Sequence, residues 1–146
     1  NKKIAILGFA FKSNTNDTRE SAAITICKDL LDEGAELLIH DPKVNAKQIE
    51  SDLKILSKSS QSNNSSFEKK EGEGTWDFSN TIEKTFANAD AILILTEWQE
   101  YSRIEWVEAY KMMRKPAWVF DSRSIIDPKK VIDAGINIWR IGDGLR

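Results

Sequence analysis

Residues 3–42 read KIAILGFAFKSNTNDTRESAAITICKDLLDEGAELLIHDP, and this stretch decides the fold. Its first part, Lys3–Phe9, is a short apolar run rich in isoleucine, which predicts a buried strand. The segment from Glu20 to Gly34 carries apolar residues three to four positions apart and ends on a glycine, a pattern that predicts a helix. Ala35–Pro42 predicts a second strand, which the proline prevents from continuing. Strand, helix and strand in this order predict a βαβ unit.

The rest of the sequence continues this alternation. Further strands are predicted at 90–98, 117–124 and 136–142, with a short extended piece at 76–79. Further helices are predicted at 45–53, 80–89, 104–113 and 127–135. Such alternation is typical of a parallel sheet with right-handed crossovers. We therefore predict an α/β fold, a Rossmann-like three-layer sandwich whose mainly parallel sheet has about five to six strands, with helices on both faces.

Sequence patterns also predict where helices begin and which face they bury. Asp17 with Glu20, and Asn80 with Glu83, have the spacing of a capping box. Asp127 is expected to cap the last helix. The apolar positions of the helix at 104–113, which we expect to face the core, are Ile104, Val107, Ala109, Tyr110 and Met113.

Length and composition exclude several classes of protein. The 146 residues fit one domain, predicted to span 1–146, and the net charge of −2 gives no support to nucleic acid as a partner. We find no apolar run of the ~20 residues needed to cross a bilayer and no signal peptide, so no membrane association and a cytoplasmic location are expected. Residues 57–75 are rich in Ser, Asn, Lys, Glu and Gly and predict a flexible insert. The chain starts without methionine directly before a strand, so we interpret it as part of a larger protein.

The single cysteine and the single histidine do not indicate a catalytic or metal site. Cys27 shares the apolar stripe of its predicted helix and is interpreted as a core residue. His40 ends a strand, and a second histidine at ligand spacing is missing from the sequence. We therefore assign no catalytic residue and no metal ligand in this chain.

Candidate binding residues follow the predicted strands, where ligands bind in open parallel sheets. Lys12, Arg19 and Arg123 are cations suited to phosphate oxygens, and Phe11 or Trp98 offers an aromatic face for a base. These residues together predict a site for a nucleotide diphosphate. The alternatives are that the cations are only solvated and that Trp98 packs under a neighbouring loop.

Asp41, at the end of the second strand, has two interpretations. In dinucleotide-binding domains an acid at this place holds a ribose, but the glycine fingerprint that accompanies it is absent here. The other interpretation is that Asp41 and Pro42 form a turn.

Four blocks carry a resemblance to a known family. They are GFAFKSNTNDTRES at 8–21, LLDEGAELLIHDPKV at 30–44, ADAILILTEW at 89–98 and KPAWVFDSRSIID at 115–127. The chain resembles the carboxyl-terminal domain of the UDP-glucose/GDP-mannose dehydrogenase family. This resemblance implies one half of a larger enzyme, in which a first Rossmann-like domain binds NAD and a second covers the UDP part of the sugar nucleotide.

The resemblance also implies roles for individual residues. Phe11, Lys12 and Arg123 match positions that contact the UDP-sugar, and Arg19 matches an arginine that reaches the NAD pyrophosphate. The TEW triplet at 96–98 favours UDP-glucose as substrate. The family implies oxidation of the sugar C6 alcohol to a carboxylate by NAD, and assembly with the rest of the polypeptide into a homo-oligomer.

Some features of the family lie outside this sequence. The nucleophilic cysteine belongs to the central part of these enzymes, and Cys27 is not in its place, so we expect the isolated chain to be inactive. The alternatives are a dehydrogenase acting on UDP-N-acetylmannosamine or GDP-mannose, and a nucleotide-binding module without catalysis.

Overall fold

The fold is built on one six-stranded, fully parallel sheet. The computed structural model describes residues 1–62 and 72–142. The strands are β1 (Lys3–Leu7), β2 (Glu36–His40), β3 (Thr75–Phe78), β4 (Ala91–Ile94), β5 (Trp118–Asp121) and β6 (Asn137–Arg140). They lie in the order β3-β2-β1-β4-β5-β6. The predicted α/β, Rossmann-like fold is confirmed, and the extended piece before residue 80 is a sixth strand at the edge of the sheet.

Helices connect the strands and cover the sheet. They are α1 (Ala22–Asp32), α2 (Ala46–Leu53), α3 (Lys58–Gln61), α4 (Trp106–Met112) and α5 (Pro128–Asp133), with 3₁₀ helices at Glu83–Phe86 and Gln99–Arg103. Because the crossovers of parallel strands are right-handed, α1 and α2 lie on one face, and α4 and α5 lie on the other. Among the described residues, no helix has the length and apolar character required for a membrane span.

The core lies where the inner strands meet the helices. Helix α1 buries Ala23, Cys27 and Leu31, which are spaced by one helical turn and form its inner stripe. The thiol of Cys27 is fully enclosed, and burial raises its pKa to about 12. The prediction that Cys27 is a core residue is confirmed, and its thiol is chemically inert in the folded protein.

Two helix starts differ from the predicted capping boxes. Helix α1 begins at Ala22, and its cap is Ser21, whose hydroxyl accepts a hydrogen bond from the Ala23 amide. Asp17 does not cap the helix because Glu20 has a φ of 60°, which interrupts helical geometry between the two. Asn80 does not cap either: the 3₁₀ helix that follows it has no side-chain cap. Asp127 caps α5 as predicted, accepting from the Lys129 amide.

Helix α4 is rotated relative to the expected orientation. Val107 is 57% exposed, whereas Trp106 and Ala109 are buried. The inner stripe therefore runs through Trp106, Ala109 and Met113, and the prediction for Val107 was wrong.

The segment predicted as an insert begins with ordered structure. Ser57 caps the short helix α3, accepting from the Ser60 amide, and Thr75 already belongs to β3. Residues 63–71 lie outside the described part of the chain. Flexibility within 57–75 stays a prediction.

One face of the β5–β6 half of the sheet is not covered by described residues. Trp118, Phe120, Trp139 and Ile141 line it, and Trp118, Trp139 and Ile141 are all more than a third exposed. The Trp118 and Phe120 rings are stacked with centroids 5.6 Å apart, and the Trp139 ring lies 6.5 Å from Phe120. These neighbouring apolar side chains form one exposed aromatic face on the sheet.

Candidate nucleotide-binding site

The strand order brings three loops together at one edge of the sheet. β1, β4 and β5 are neighbours, and all three are parallel, so their carboxyl ends share one edge. The chain leaves β1 towards β2 on one side and leaves β4 towards β5 on the other. This divergence makes the carboxyl ends of β1 and β4 the topological switch point of the sheet, where open α/β sheets bind ligands.

Arg123 connects these loops through its guanidinium group. Its Nε donates to the carbonyl oxygen of Leu95 at 3.0 Å, and its Nη2 donates to the carbonyl oxygen of Phe11 at 3.4 Å. Its Nη1 lies 3.8 Å from Oε1 of Glu97. The structure therefore brings Arg123 and Phe11 together from positions more than a hundred residues apart, as the sequence predicted.

Phe11 and Lys12 present their side chains to solvent beside this arginine. Phe11 is 42% exposed, which is high for a phenylalanine, and Lys12 is exposed as well. Within the described ranges 1–62 and 72–142, the ammonium group of Lys12 forms no hydrogen bond or ion pair, although its charge helps to lower the pKa of the Asp17 carboxyl. Both side chains are free to contact a ligand.

The backbone before Phe11 is fixed from several sides. The Thr96 hydroxyl donates to the Ala10 carbonyl oxygen at 2.8 Å, and the Ser21 hydroxyl donates to the Phe9 carbonyl oxygen at 2.8 Å. The Phe11 amide donates to the carbonyl oxygen of Asp17 at 2.8 Å, which closes the loop. The loop thus has a defined conformation although it lacks the usual glycines.

Arg19 lies further out on the same loop. Its side chain is 88% exposed and forms an ion pair with Asp17, with 2.8 Å between Nη2 and Oδ2. The hydrogen bonds from Arg19 lower the pKa of the Asp17 carboxyl to about 2. Among the described residues, Arg19 makes its ion pair with Asp17 and no contact with Arg123.

Trp98 does not offer an open ring face. It is 4% exposed, and its indole N–H donates to Oδ2 of Asp41 at 3.2 Å. The expectation that a base stacks on Trp98 is corrected, and the alternative of packing beneath neighbouring loops describes the structure. Phe11 is the exposed aromatic residue at this edge.

Two buried carboxylates hold the loops from below. Asp41 accepts hydrogen bonds from the loop after β1, and Asp121 accepts from the amides of Arg123 and Ile126 at 3.0 and 2.8 Å. No role was assigned to Asp121 from the sequence. The Asp-x-Arg spacing was the available signal, since an Asp side chain commonly binds the amide two residues on.

His40 has a structural environment. Its Nδ1 lies 2.9 Å from the Tyr101 hydroxyl, which also donates to the His40 carbonyl oxygen at 3.2 Å. Burial lowers the pKa of His40 below its usual value. In the described part of the chain, no group of three or more His, Cys, Asp or Glu side chains is arranged to hold a metal ion.

Cavities elsewhere do not carry this chemistry. A cavity of about 550 Å³ lies between the Gln99–Arg103 helix, α4 and α5, and its lining includes Glu105, Val107 and Lys130. It is a wide surface depression on the helical face, and Phe11, Lys12 and Arg123 are not among its lining residues. The exposed phenylalanine and the two cations at the sheet edge are the better match to a nucleotide.

The fold and the residues at this edge of the sheet indicate the class of protein. It is a Rossmann-like domain suited to a nucleotide with phosphate groups. Residues 5–128 match the model of the UDP-glucose/GDP-mannose dehydrogenase family, UDP binding domain. The chain belongs to this family.

Known proteins with similar sequences or structures agree with that placement. The chain is 43% identical over 141 residues to the UDP-glucose 6-dehydrogenase of Drosophila melanogaster, covering 97% of this chain and 28% of that protein. It is 40% identical to UDP-glucose 6-dehydrogenase 3 of Arabidopsis thaliana, covering 99% of this chain and 30% of that protein. The solved UDP-D-ManNAc dehydrogenase of Pyrococcus horikoshii superposes with a TM-score of 0.68 at 28% identity, covering 98% and 26% of the two chains.

The chain therefore spans less than a third of the length of the relatives it matches. Features of the whole relatives that lie in their other two thirds have no counterpart in this sequence.

Proposed function

We propose that this domain binds the uridine diphosphate part of UDP-glucose within an NAD-dependent UDP-glucose 6-dehydrogenase. The reaction is the oxidation of the C6 alcohol of UDP-glucose to the carboxylate of UDP-glucuronate by two NAD molecules. Support comes from the family membership and from the curated relatives, which are UDP-glucose 6-dehydrogenases.

The observation that carries the proposal is the position of Arg123. Its guanidinium is hydrogen-bonded to the Phe11 carbonyl, so its charge lies beside the loop that carries Phe11 and Lys12. In the proposed complex Lys12 and Arg123 bind phosphate oxygens, and the exposed Phe11 ring contacts the nucleotide. A planar guanidinium offers two parallel N–H donors to a phosphate, which suits it to this place. Trp98 does not contact the nucleotide in this proposal. Its indole N–H binds Asp41, which holds the turn before Phe11.

NAD supplies the hydride acceptor in this reaction class, and the turn after β1 does not fit its pyrophosphate. The Phe9 and Ala10 amides of that turn are already bound to Asp41. We place the cofactor mainly on the part of the enzyme outside this sequence, with the exposed Arg19 reaching towards it. Without the catalytic cysteine of that part, the isolated chain is inactive.

The rest of the polypeptide is the proposed partner of this domain. The aromatic face around Trp118, Phe120 and Trp139 is uncovered by described residues, which supports further contacts in the complete enzyme. In this proposal the enzyme is cytoplasmic and forms a homo-oligomer.

The proposal predicts the effect of Arg123→Ala in the whole enzyme. Loss of a charge-assisted hydrogen bond costs roughly 1.5–3 kcal/mol, so KM for UDP-glucose rises by about ten- to a hundred-fold. KM for NAD stays unchanged. Steady-state kinetics with each substrate varied in turn give both values.

Arg114→Ala is the matched control. Arg114 pairs with Asp90 just before β4, at the opposite edge of the sheet, and the Arg114 side chain is 50% exposed. Removing it should leave KM for UDP-glucose unchanged. An unaltered KM in Arg123→Ala would reject the site, and equal inhibition by GDP and UDP would reject uridine as the preferred nucleoside.

A further inference from the structure

We infer that Asp41 is the positioning residue of the nucleotide-binding loop and does not contact the ribose. It holds the turn after β1 in the place where a dinucleotide-binding domain would hold a pyrophosphate. This inference rests on the proposed function, because it concerns how the same site is built.

The contacts of Asp41 are unusually complete. Its Oδ2 accepts from the Phe9 amide at 2.8 Å, the Ala10 amide at 3.0 Å and the Trp98 indole at 3.2 Å. Its Oδ1 accepts from the amides of Lys43 and Val44 at 2.8 and 2.9 Å. The residue is 4% exposed. One carboxylate thus connects the ends of β1, β2 and β4.

These contacts decide between the two interpretations of Asp41. An ionised carboxylate has about four acceptor sites, and five N–H donors already occupy this one. A ribose hydroxyl would have to displace a protein donor inside the fold. The turn interpretation is correct for Oδ1, but it does not account for Oδ2, which faces the loop after β1 and Trp98.

The donors of Oδ2 explain why the glycine-rich turn is absent. In dinucleotide-binding domains, the glycine turn after β1 brings free amides close to the ligand pyrophosphate at the start of the following helix. Here the amides of Phe9 and Ala10 bind an anion of the protein itself. Phosphate recognition then falls to Lys12, which lies on this loop, and to Arg123, which reaches the loop from the segment after β5.

The backbone of Phe9 and Ala10 is also fixed through its carbonyl groups. The carbonyl oxygens of Phe9 and Ala10 accept from the hydroxyls of Ser21 and Thr96. Asp41 therefore fixes the amides, and the hydroxyls fix the carbonyls, of the two residues that precede Phe11. A shift of this peptide would carry Phe11 and Lys12 with it.

The test uses Asp41→Asn in the whole enzyme. Asparagine keeps the shape of the side chain but turns one acceptor oxygen into an NH₂ group that faces N–H donors. UDP affinity, measured by calorimetry, should fall by about ten-fold or more, with KM for NAD unchanged. The loss should be the same factor for UDP and for 2′-deoxy-UDP. A loss seen with UDP and absent with 2′-deoxy-UDP would show a ribose contact and overturn the inference.

Asp90→Asn is the matched control for a general loss of stability. Asp90 accepts from the Lys3 amide at 2.8 Å and from Arg114 at 3.2 Å, at the opposite edge of the sheet. It should lower the melting temperature without changing UDP affinity. If Asp41→Asn lowers only the melting temperature and leaves UDP affinity unchanged, Asp41 is structural and the inference fails.

A milder variant keeps the test decisive if Asp41→Asn does not fold. Trp98→Phe removes one donor of Oδ2 and keeps a ring in the buried space, so UDP affinity should fall by about two- to five-fold. Unchanged affinity in this variant would count against the inference. The proposed function is tested separately, because it fails if the wild-type enzyme does not bind UDP. If Arg123→Ala weakens UDP binding but the Asp41 and Trp98 variants do not, this inference alone is rejected.

Discussion

At the scale of single residues, Glu97 lies close to Arg123, the cation that we propose binds phosphate. Its Oε1 is buried and lies 3.8 Å from Nη1 of Arg123, and this oxygen has no hydrogen-bond partner among the residues that the structure describes. The two side chains are each about a third exposed, so solvent screens their attraction only in part. A bound diphosphate would therefore compete with Glu97 for the guanidinium.

We predict that Glu97→Gln tightens the binding of UDP. The amide removes a negative charge next to the phosphate site, and a partly exposed ion pair is worth up to about 1 kcal/mol, so the gain is at most about five-fold. Uridine has no phosphate and should bind unchanged. Calorimetric titration of the whole enzyme with both ligands measures the difference.

Glu108→Gln provides the control for a change of net charge. Glu108 is exposed on α4 and pairs with Lys111, away from the sheet edge. It should change neither affinity. Weaker UDP binding in Glu97→Gln would mean that Glu97 itself contacts the ligand, which would contradict the competition described here.

At the scale of elements, the close approach of the segments that follow the parallel strands β1 and β4 depends on Gly8. It has a φ of 100°, and a Cβ at this position would lie 2.4 Å from the Cβ and Oγ1 atoms of Thr96. Only glycine adopts this backbone without strain and leaves room for Thr96. The close approach also lets Thr96 reach the Ala10 carbonyl.

We predict that Gly8→Ala lowers the free energy of unfolding by about 2–4 kcal/mol, from backbone strain and from the displacement of Thr96. Gly142→Ala is the comparison, because Gly142 also has a positive φ, of 86°, but nothing lies within 4 Å of its added Cβ. It should cost about 1–2 kcal/mol. Urea denaturation of both variants checks the difference, and equal costs would mean that the contact with Thr96 is unimportant.

The positions of strands and helix ends were predictable where the sequence pattern acts within a few residues. Apolar runs located the strands, and Asp127 located the start of α5, because a cap acts within its own turn. The start of α1 was misplaced because the backbone of Glu20 is left-handed, and the sequence pattern of a capping box does not contain that information. The face of α4 was misjudged because Trp106 packs inward in place of Val107.

At the scale of the whole molecule, the strand order assembles the site from distant segments. The alternation of strands and helices predicted a parallel sheet, and this alone predicted that Phe11, Lys12 and Arg123 share one edge. The roles of Trp98 and Asp41 were not predictable, since they depend on which way the indole turns after β4. That orientation is decided by packing between loops more than fifty residues apart in sequence.

The uncovered aromatic face also belongs to this scale. Trp118, Phe120 and Trp139 occupy alternate positions of β5 and the edge strand β6, and Val119 and Asp121 on the opposite side are fully buried. The sequence pattern of these strands does not show which side remains open, because both sides carry apolar residues.

The most direct test of the central claim is a crystal structure of the whole enzyme with bound UDP. We predict that the diphosphate oxygens lie within hydrogen-bonding distance of the side chains of Lys12 and Arg123, with Asp41 still bound to the Phe9 and Ala10 amides. A diphosphate bound away from this edge of the sheet, or a ribose hydroxyl on the Asp41 carboxylate, would contradict the account.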